Sequence, residues 1–150
     1  MVALTVGRPG NDHVVLQIER RLFPQASDAW DGNALGCRVS LRVGGFIGEF
    51  ATTMWANDFY RFLVELRGLN QTLDGSADFE TAEGQVSLAI ASVSSLGTLR
   101  VSGSARDVAG IGNRLDFELS EFDQTDLPSL IRTLEEISTA YPVVGREASN

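Results

Sequence analysis

Residues Asp126 to Tyr141 read DLPSLIRTLEEISTAY, with Leu127, Leu130, Ile131, Leu134, Ile137 and Tyr141 recurring at spacings of three and four. That spacing lines one face of a helix. A helix with a single apolar stripe needs a sheet or a second helix to cover it. Upstream, Asp58 to Leu69 repeats the layout through Phe59, Phe62, Leu63, Leu66 and Leu69. Five positions of the two segments match at one offset, from Asp58 against Asp126 (126 − 58 = 68) to Leu66 against Leu134. The match fits an internal duplication of a strands-then-helix unit. It also fits two unrelated amphipathic helices, because helical periodicity alone reproduces such matches and the strand phases before the helices slip by one residue.

Between and before these helices the chain reads as strand and turn. Leu35, Cys37, Val39, Leu41 and Val43 alternate with Gly36, Arg38, Ser40 and Arg42, which gives a strand with one apolar face. Gly44-Gly45 suits a two-residue turn at positive φ. Such a turn pairs Val43 with Phe46 and sets Phe46, Gly48, Phe50 and Thr52 on the apolar side. Val2 to Val6 reads as an edge strand, and Val14 to Arg21 as its neighbour. Phe23 to Asn33 is a long loop around Trp30. Asn57 is the expected N-cap of the first helix, with Gly68 and Asn70 weakening its end. After Asp74-Gly75 a meander follows: Ala77 to Thr81, Val86 to Ala91, Leu99 to Gly103 and Leu115 to Ser120, with turns at Glu83-Gly84, Ser94 to Gly97 and Asp107 to Asn113. Pro128 is tolerated in the first helical turn and Pro142 stops the second helix.

The expected architecture is therefore a single α+β domain over residues 1–145, with about eight antiparallel strands and two amphipathic helices packed on one face. Residues 146–150 are expected to fray. At 150 residues folding removes roughly 70% of the extended chain's surface, so no disulfide or metal staple is required. The net charge of −8 argues against nucleic acid or an anionic membrane as partner and favours solubility or a basic partner. A single cysteine excludes an internal disulfide, and neither a signal peptide nor an apolar run of about 18 residues is present, which points to a cytoplasmic protein.

Few residues suit chemistry. His13 is the one histidine, and Cys37 falls on the apolar side of the hairpin, where a buried small hydrophobe is the expected role. A lone histidine builds no histidine-rich metal site. Asp78 with Glu80, and Asp116 with Glu118, each share one side of a strand. They are either a solvated sheet face, the preferred reading, or a paired-carboxylate acid/base set, which needs a cleft. Gly110-Ile111-Gly112-Asn113 precedes a strand and so does not cradle phosphate at a helix N-terminus. Binding is better supplied. Asp116, Glu118, Glu121 and Asp123 are expected to form an acidic patch for a basic partner. Trp30 in its loop is an anchor candidate. Tyr60 and Val64 lie off the core stripe of the first helix; cover by the early strands is preferred over a role for Tyr60 as a partly exposed anchor.

Several segments together resemble the WapI-type immunity protein family, found beside polymorphic toxins in bacteria. They are Trp30-Asp31-Gly32-Asn33, Gly45-Phe46-Ile47-Gly48, Phe62 with Glu65-Leu66 and Leu69, and Leu73-Asp74-Gly75-Ser76-Ala77. Further on come Glu83-Gly84, Gly112-Asn113-Arg114-Leu115, Phe122-Asp123-Gln124-Thr125 and Tyr141-Pro142. The resemblance spans about residues 12 to 145 and rests on turns and core positions. It implies a cytoplasmic, non-enzymatic protein that binds and blocks a cognate toxin, often a nuclease whose basic groove an acidic surface could occupy. It brings no catalytic residue, metal or cofactor. The alternatives are a small-ligand-binding domain, with a pocket near Trp30 and Trp55, and an enzyme using paired carboxylates.

Overall fold

The computed structural model describes residues 1–94 and 96–145. The expected tail at 146–150, and Ser95 of the turn before Leu99, lie outside them. Eight strands and two α-helices form an α+β fold, as the patterning predicts. The strands divide into two antiparallel meanders of four. The first holds β1 (Val2–Gly7), β2 (His13–Arg21), β3 (Ala34–Val43) and β4 (Phe46–Trp55). The second holds β5 (Ser76–Glu80), β6 (Val86–Ser92), β7 (Leu99–Arg106) and β8 (Arg114–Leu119). Helix α1 (Ala56–Thr72) follows the first sheet, and α2 (Leu127–Ala140) follows the second. The division arises because α1 intervenes between β4 and β5, which share no ladder.

The two halves interlock. Helix α1 lies against β5, α2 lies against β1, and the helices pack on each other. Each helix thus covers the first strand of the opposite half. One continuous apolar cluster joins both sheets and both helices, with Leu4, Leu16, Ile18, Leu35, Phe59, Phe62, Phe79 and Ile90 at its buried centre. Phe79 of β5 meets Phe59 and Phe62 of α1 with ring centroids at 5.2 and 5.5 Å, tilted and edge-on, a favoured aromatic arrangement.

The hairpin forms as its alternation dictates. Val43 pairs with Phe46, Leu41 with Gly48, Val39 with Phe50 and Cys37 with Thr52, and Gly44 takes φ +58° in the turn. Cys37 is buried among apolar neighbours, which push its thiol up to about 12. It serves as a core residue. Phe46 shares the apolar side yet remains exposed, as does Ile47. Both lie at the hairpin end of β4, an outer strand of the first sheet.

The helix ends differ from expectation. Asn57 does not cap α1. The helix begins at Ala56, and Asp58 reaches back to accept from the Trp55 backbone N–H at 2.9 Å. A carboxylate in the first turn satisfies an otherwise orphaned donor and suits the positive helix end. Gly68 and Asn70 fall within the last turns of the helix. It stops at Leu73, in the left-handed region at φ 53°, whose N–H donates to the Leu69 carbonyl at 2.7 Å. A left-handed non-glycine costs about 1–2 kcal/mol; packing of the Leu73 side chain against the core offsets it. Tyr60 and Val64 are not covered by the early strands. Both are about half exposed on the outer side of α1.

Candidate functional site

Strand alternation sends Asp78 and Glu80 of β5, Ser87 and Ala89 of β6, Ser102 and Ser104 of β7, and Asp116 and Glu118 of β8 to the side of the second sheet away from the core. The register aligns them in two rows, Glu80–Ser87–Ser104–Asp116 and Asp78–Ala89–Ser102–Glu118. Carboxylates stand on the two outer strands and small residues on the two inner ones. The result is a trough of about 560 Å³ with acidic walls. Its floor is fixed by a 2.8 Å hydrogen bond between the Ser87 and Ser104 hydroxyls.

Three strand spacings separate the walls by about 14 Å, too far for two carboxylates to act on one bond, which needs about 5–9.5 Å. Along β8, Asp116 and Glu118 are nearer each other but face solvent, with side chains 70% and 67% exposed. Each pairs with an arginine of the same sheet: Arg114 Nε donates to Asp116 at 2.9 Å, and Arg100 Nε lies 3.3 Å from Glu118. Asp78 and Glu80 have no ion-pair partner among the described residues. The edge of β5 is protected by Glu65 of α1, which accepts from the Asp78 N–H at 2.8 Å.

Glu121 and Asp123 lie past the end of β8 and do not join this trough. Glu121 adopts φ 58° and accepts from Asn11 Nδ2 at 2.9 Å. Asp123 accepts from the Thr125 hydroxyl and N–H at 2.6 and 2.8 Å, bonds that hold its carboxyl below the usual range. These two residues shape the entry to α2. The acidic surface instead unites Asp116 and Glu118 with Asp78 and Glu80, strands that sequence spacing could not bring together.

Glu80 also borders a second depression, a cleft of about 470 Å³ between the start of α1, the end of β5 and the loop carrying Trp30. Trp30 is 57% exposed. Its ring leans on Trp55 with centroids 4.4 Å apart and planes at 34°. The loop under it is firmly built. Asp28 Oδ2 accepts from the Asp31 N–H at 2.9 Å and the Trp30 N–H at 3.1 Å, which lowers its carboxyl from the usual range. Asn33 is fully buried, and its side chain clamps the loop to the segment after α2. A side chain at Gly32 would collide with Val144.

Trp55, which lines the cleft, is 7% exposed; its indole Nε1 and the Thr81 hydroxyl are closed to solvent and have no hydrogen-bond partner among the described residues. Asp58, also buried, pairs with Arg61 at 3.5 Å. Burial pushes the Asp58 carboxyl up, against the lowering effects of the Trp55 N–H and of Arg61. Asp58, Arg61 and Thr81 escaped sequence reasoning. They are a cap, a helix surface residue and a strand end, and no local pattern marks such positions as a site.

Among the described residues no cluster of histidine, cysteine and carboxylate side chains is arranged to hold a metal. Among the same residues no helix is long and apolar enough to cross a membrane. No curated protein matches the chain at a significant level. The model of the Immunity protein WapI-like family matches residues 5–142, which takes in both sheets and both helices. The chain belongs to that family.

Proposed function

We propose that the protein is an immunity-type inhibitor that binds a basic protein toxin through the outer face of its second sheet. Family membership supplies the class. The trough supplies the observation that carries the binding face. Asp78 and Glu80, without ion-pair partners among the described residues, form one wall. Asp116 and Glu118, paired with Arg114 and Arg100, form the other, and outward Ser and Ala side chains lie between them. A floor of small residues leaves room for a partner's long basic side chains, and the walls complement their charge. The net charge of −8 adds long-range steering of a cationic protein. Nothing in this reading requires a reaction, because the carboxylates are spaced and solvated for recognition.

The test is co-expression with the toxin-like product of a neighbouring gene, scored by growth protection and co-purification. The expected result is a complex that the Asp116→Lys/Glu118→Lys double variant forms at least about tenfold more weakly, since like charges across an interface cost several kcal/mol. No complex with, and no protection from, any adjacent toxin-like product would overturn the proposal.

A further inference from the structure

The trough is small for a specific interface. Its width of about 14 Å and length of about 17 Å give on the order of 240 Å², against roughly 800 Å² for each partner in a stable complex. The contact must extend beyond it. Glu80 is the residue through which it extends, because Glu80 lines both the trough and the tryptophan cleft.

We propose that the tryptophan cleft anchors an arginine side chain of the protein partner, its guanidinium stacked on the exposed Trp30 ring and paired with Glu80. The inference rests on the toxin-binding reading for the partner's identity, but its chemistry stands on the cleft alone. Trp30 spends one ring face on Trp55 and stays 57% exposed. The aspartate-built turn and the Asn33 clamp keep it from folding away. An exposed indole held this rigidly is a platform for a flat cation, and guanidinium stacks on such a face better than ammonium.

Charge points the same way. Asp58 and Arg61 neutralise each other at 3.5 Å, leaving Glu80 as the carboxylate of the cleft without an ion-pair partner among the described residues. A carboxylate accepts a guanidinium in a two-pronged geometry.

The chain has two tryptophans, so its amide NMR spectrum holds two indole cross-peaks, assignable with a Trp30→Phe variant. The probe is the capped tripeptide acetyl-Gly-Arg-Gly-amide, with the Gln and Glu tripeptides as controls, titrated to roughly 20 mM because so small a ligand is expected to bind weakly. The expected result is a saturable shift of the Trp30 indole peak with the arginine peptide alone, weakened about tenfold or more by Glu80→Gln. An absent shift overturns the proposal, as does an equal shift with the Gln peptide or an undiminished one in Glu80→Gln. The two readings fail separately. If the peptide binds but no toxin complex forms, the toxin reading falls alone. If a toxin binds while the peptide produces no shift and Glu80→Gln leaves toxin affinity unchanged, the anchor falls alone.

Discussion

Asn33 and Val144, 111 residues apart in sequence, exchange two hydrogen bonds: Asn33 Nδ2 donates to the Val144 carbonyl at 2.8 Å, and the Val144 N–H donates to Asn33 Oδ1 at 2.8 Å. Asn33 Nδ2 also donates to the Ala29 carbonyl at 2.7 Å. A side-chain amide here imitates a strand pairing and fastens the segment after α2 to the loop that carries Trp30. Arg21 reinforces the join, donating to the Gly32 and Pro142 carbonyls at 2.6 Å each. Because Asn33 is fully buried, Asn33→Ala leaves a backbone N–H and two carbonyls without their partner. The expected loss is about 1–3 kcal/mol, measured by urea unfolding. Hydrogen exchange at Val144 should accelerate more than exchange in the centre of β6. A loss confined to global stability, with Val144 still protected to the same degree relative to β6, would contradict the clamp.

The two stacked tryptophans should contribute to stability in different ways. Trp30→Ala removes an aromatic contact expected to contribute about 0.5–1.5 kcal/mol and should leave the fold intact. Trp55→Phe removes an indole N–H that has no acceptor, so the lost donor should cost nothing, and the change in stability should reflect packing alone. Equilibrium unfolding of both variants checks this. A loss of more than about 3 kcal/mol for Trp30→Ala, in the range of a core truncation, would mean that the exposed indole is holding the fold together.

Asp58 makes a pH prediction with a definite sign. Burial raises its carboxyl above the ordinary value of 3.8, more than the Trp55 N–H and Arg61 lower it. An acid raised on folding imposes a stability cost that is fully present above its folded pKa. That cost disappears as pH falls through the folded pKa toward 3.8. Asp58→Asn keeps an acceptor for the Trp55 N–H but does not titrate. Acidification should therefore shift the stability difference in favour of the wild type, read as unfolding midpoints of the two proteins between neutral pH and pH 4. Movement in the opposite direction would mean that the ion pair with Arg61 outweighs burial.

Most of the fold was legible because it is written in local period. The hairpin, the meander and both helical stripes follow alternation of two or of three and four. The match at an offset of 68 reaches beyond periodicity in the structure. The Asp58 carboxylate accepts from the N–H of Trp55 at 2.9 Å, and the Asp126 carboxylate from that of Asp123, also at 2.9 Å; 123 − 55 = 68. Arg67 and Glu135, which bridge the helices at 2.8 Å, carry the same separation. The slip of strand phase between the halves coincides with Glu121, whose left-handed backbone lets Leu119 and Phe122 both reach the core. The site was less legible. Asp116 and Glu118 were visible as an outward pair, and Trp30 as a loop aromatic. Joining them needed the register of four strands and the reach of Glu80 from trough to cleft. Those are long-range relations that no window of sequence contains.

If the trough is the binding face, the acidic residues around the end of β8 have two different roles, and substitution should separate them. Glu118 is solvent-facing, and its pairing with Arg100 at 3.3 Å is an exposed one, of the kind that contributes little to stability. Glu118→Lys should leave the unfolding midpoint nearly unchanged and weaken toxin binding. Asp123 instead terminates the turn into α2 by accepting from Thr125. Asp123→Ala should destabilise by about 0.5–2 kcal/mol, as loss of a capping acceptor does, while leaving binding intact in the folded fraction. Calorimetry and a binding titration on the same preparations read both effects. If Asp123→Ala weakens binding as much as Glu118→Lys while folding is unimpaired, the interface runs off the sheet along the loop instead of across the trough.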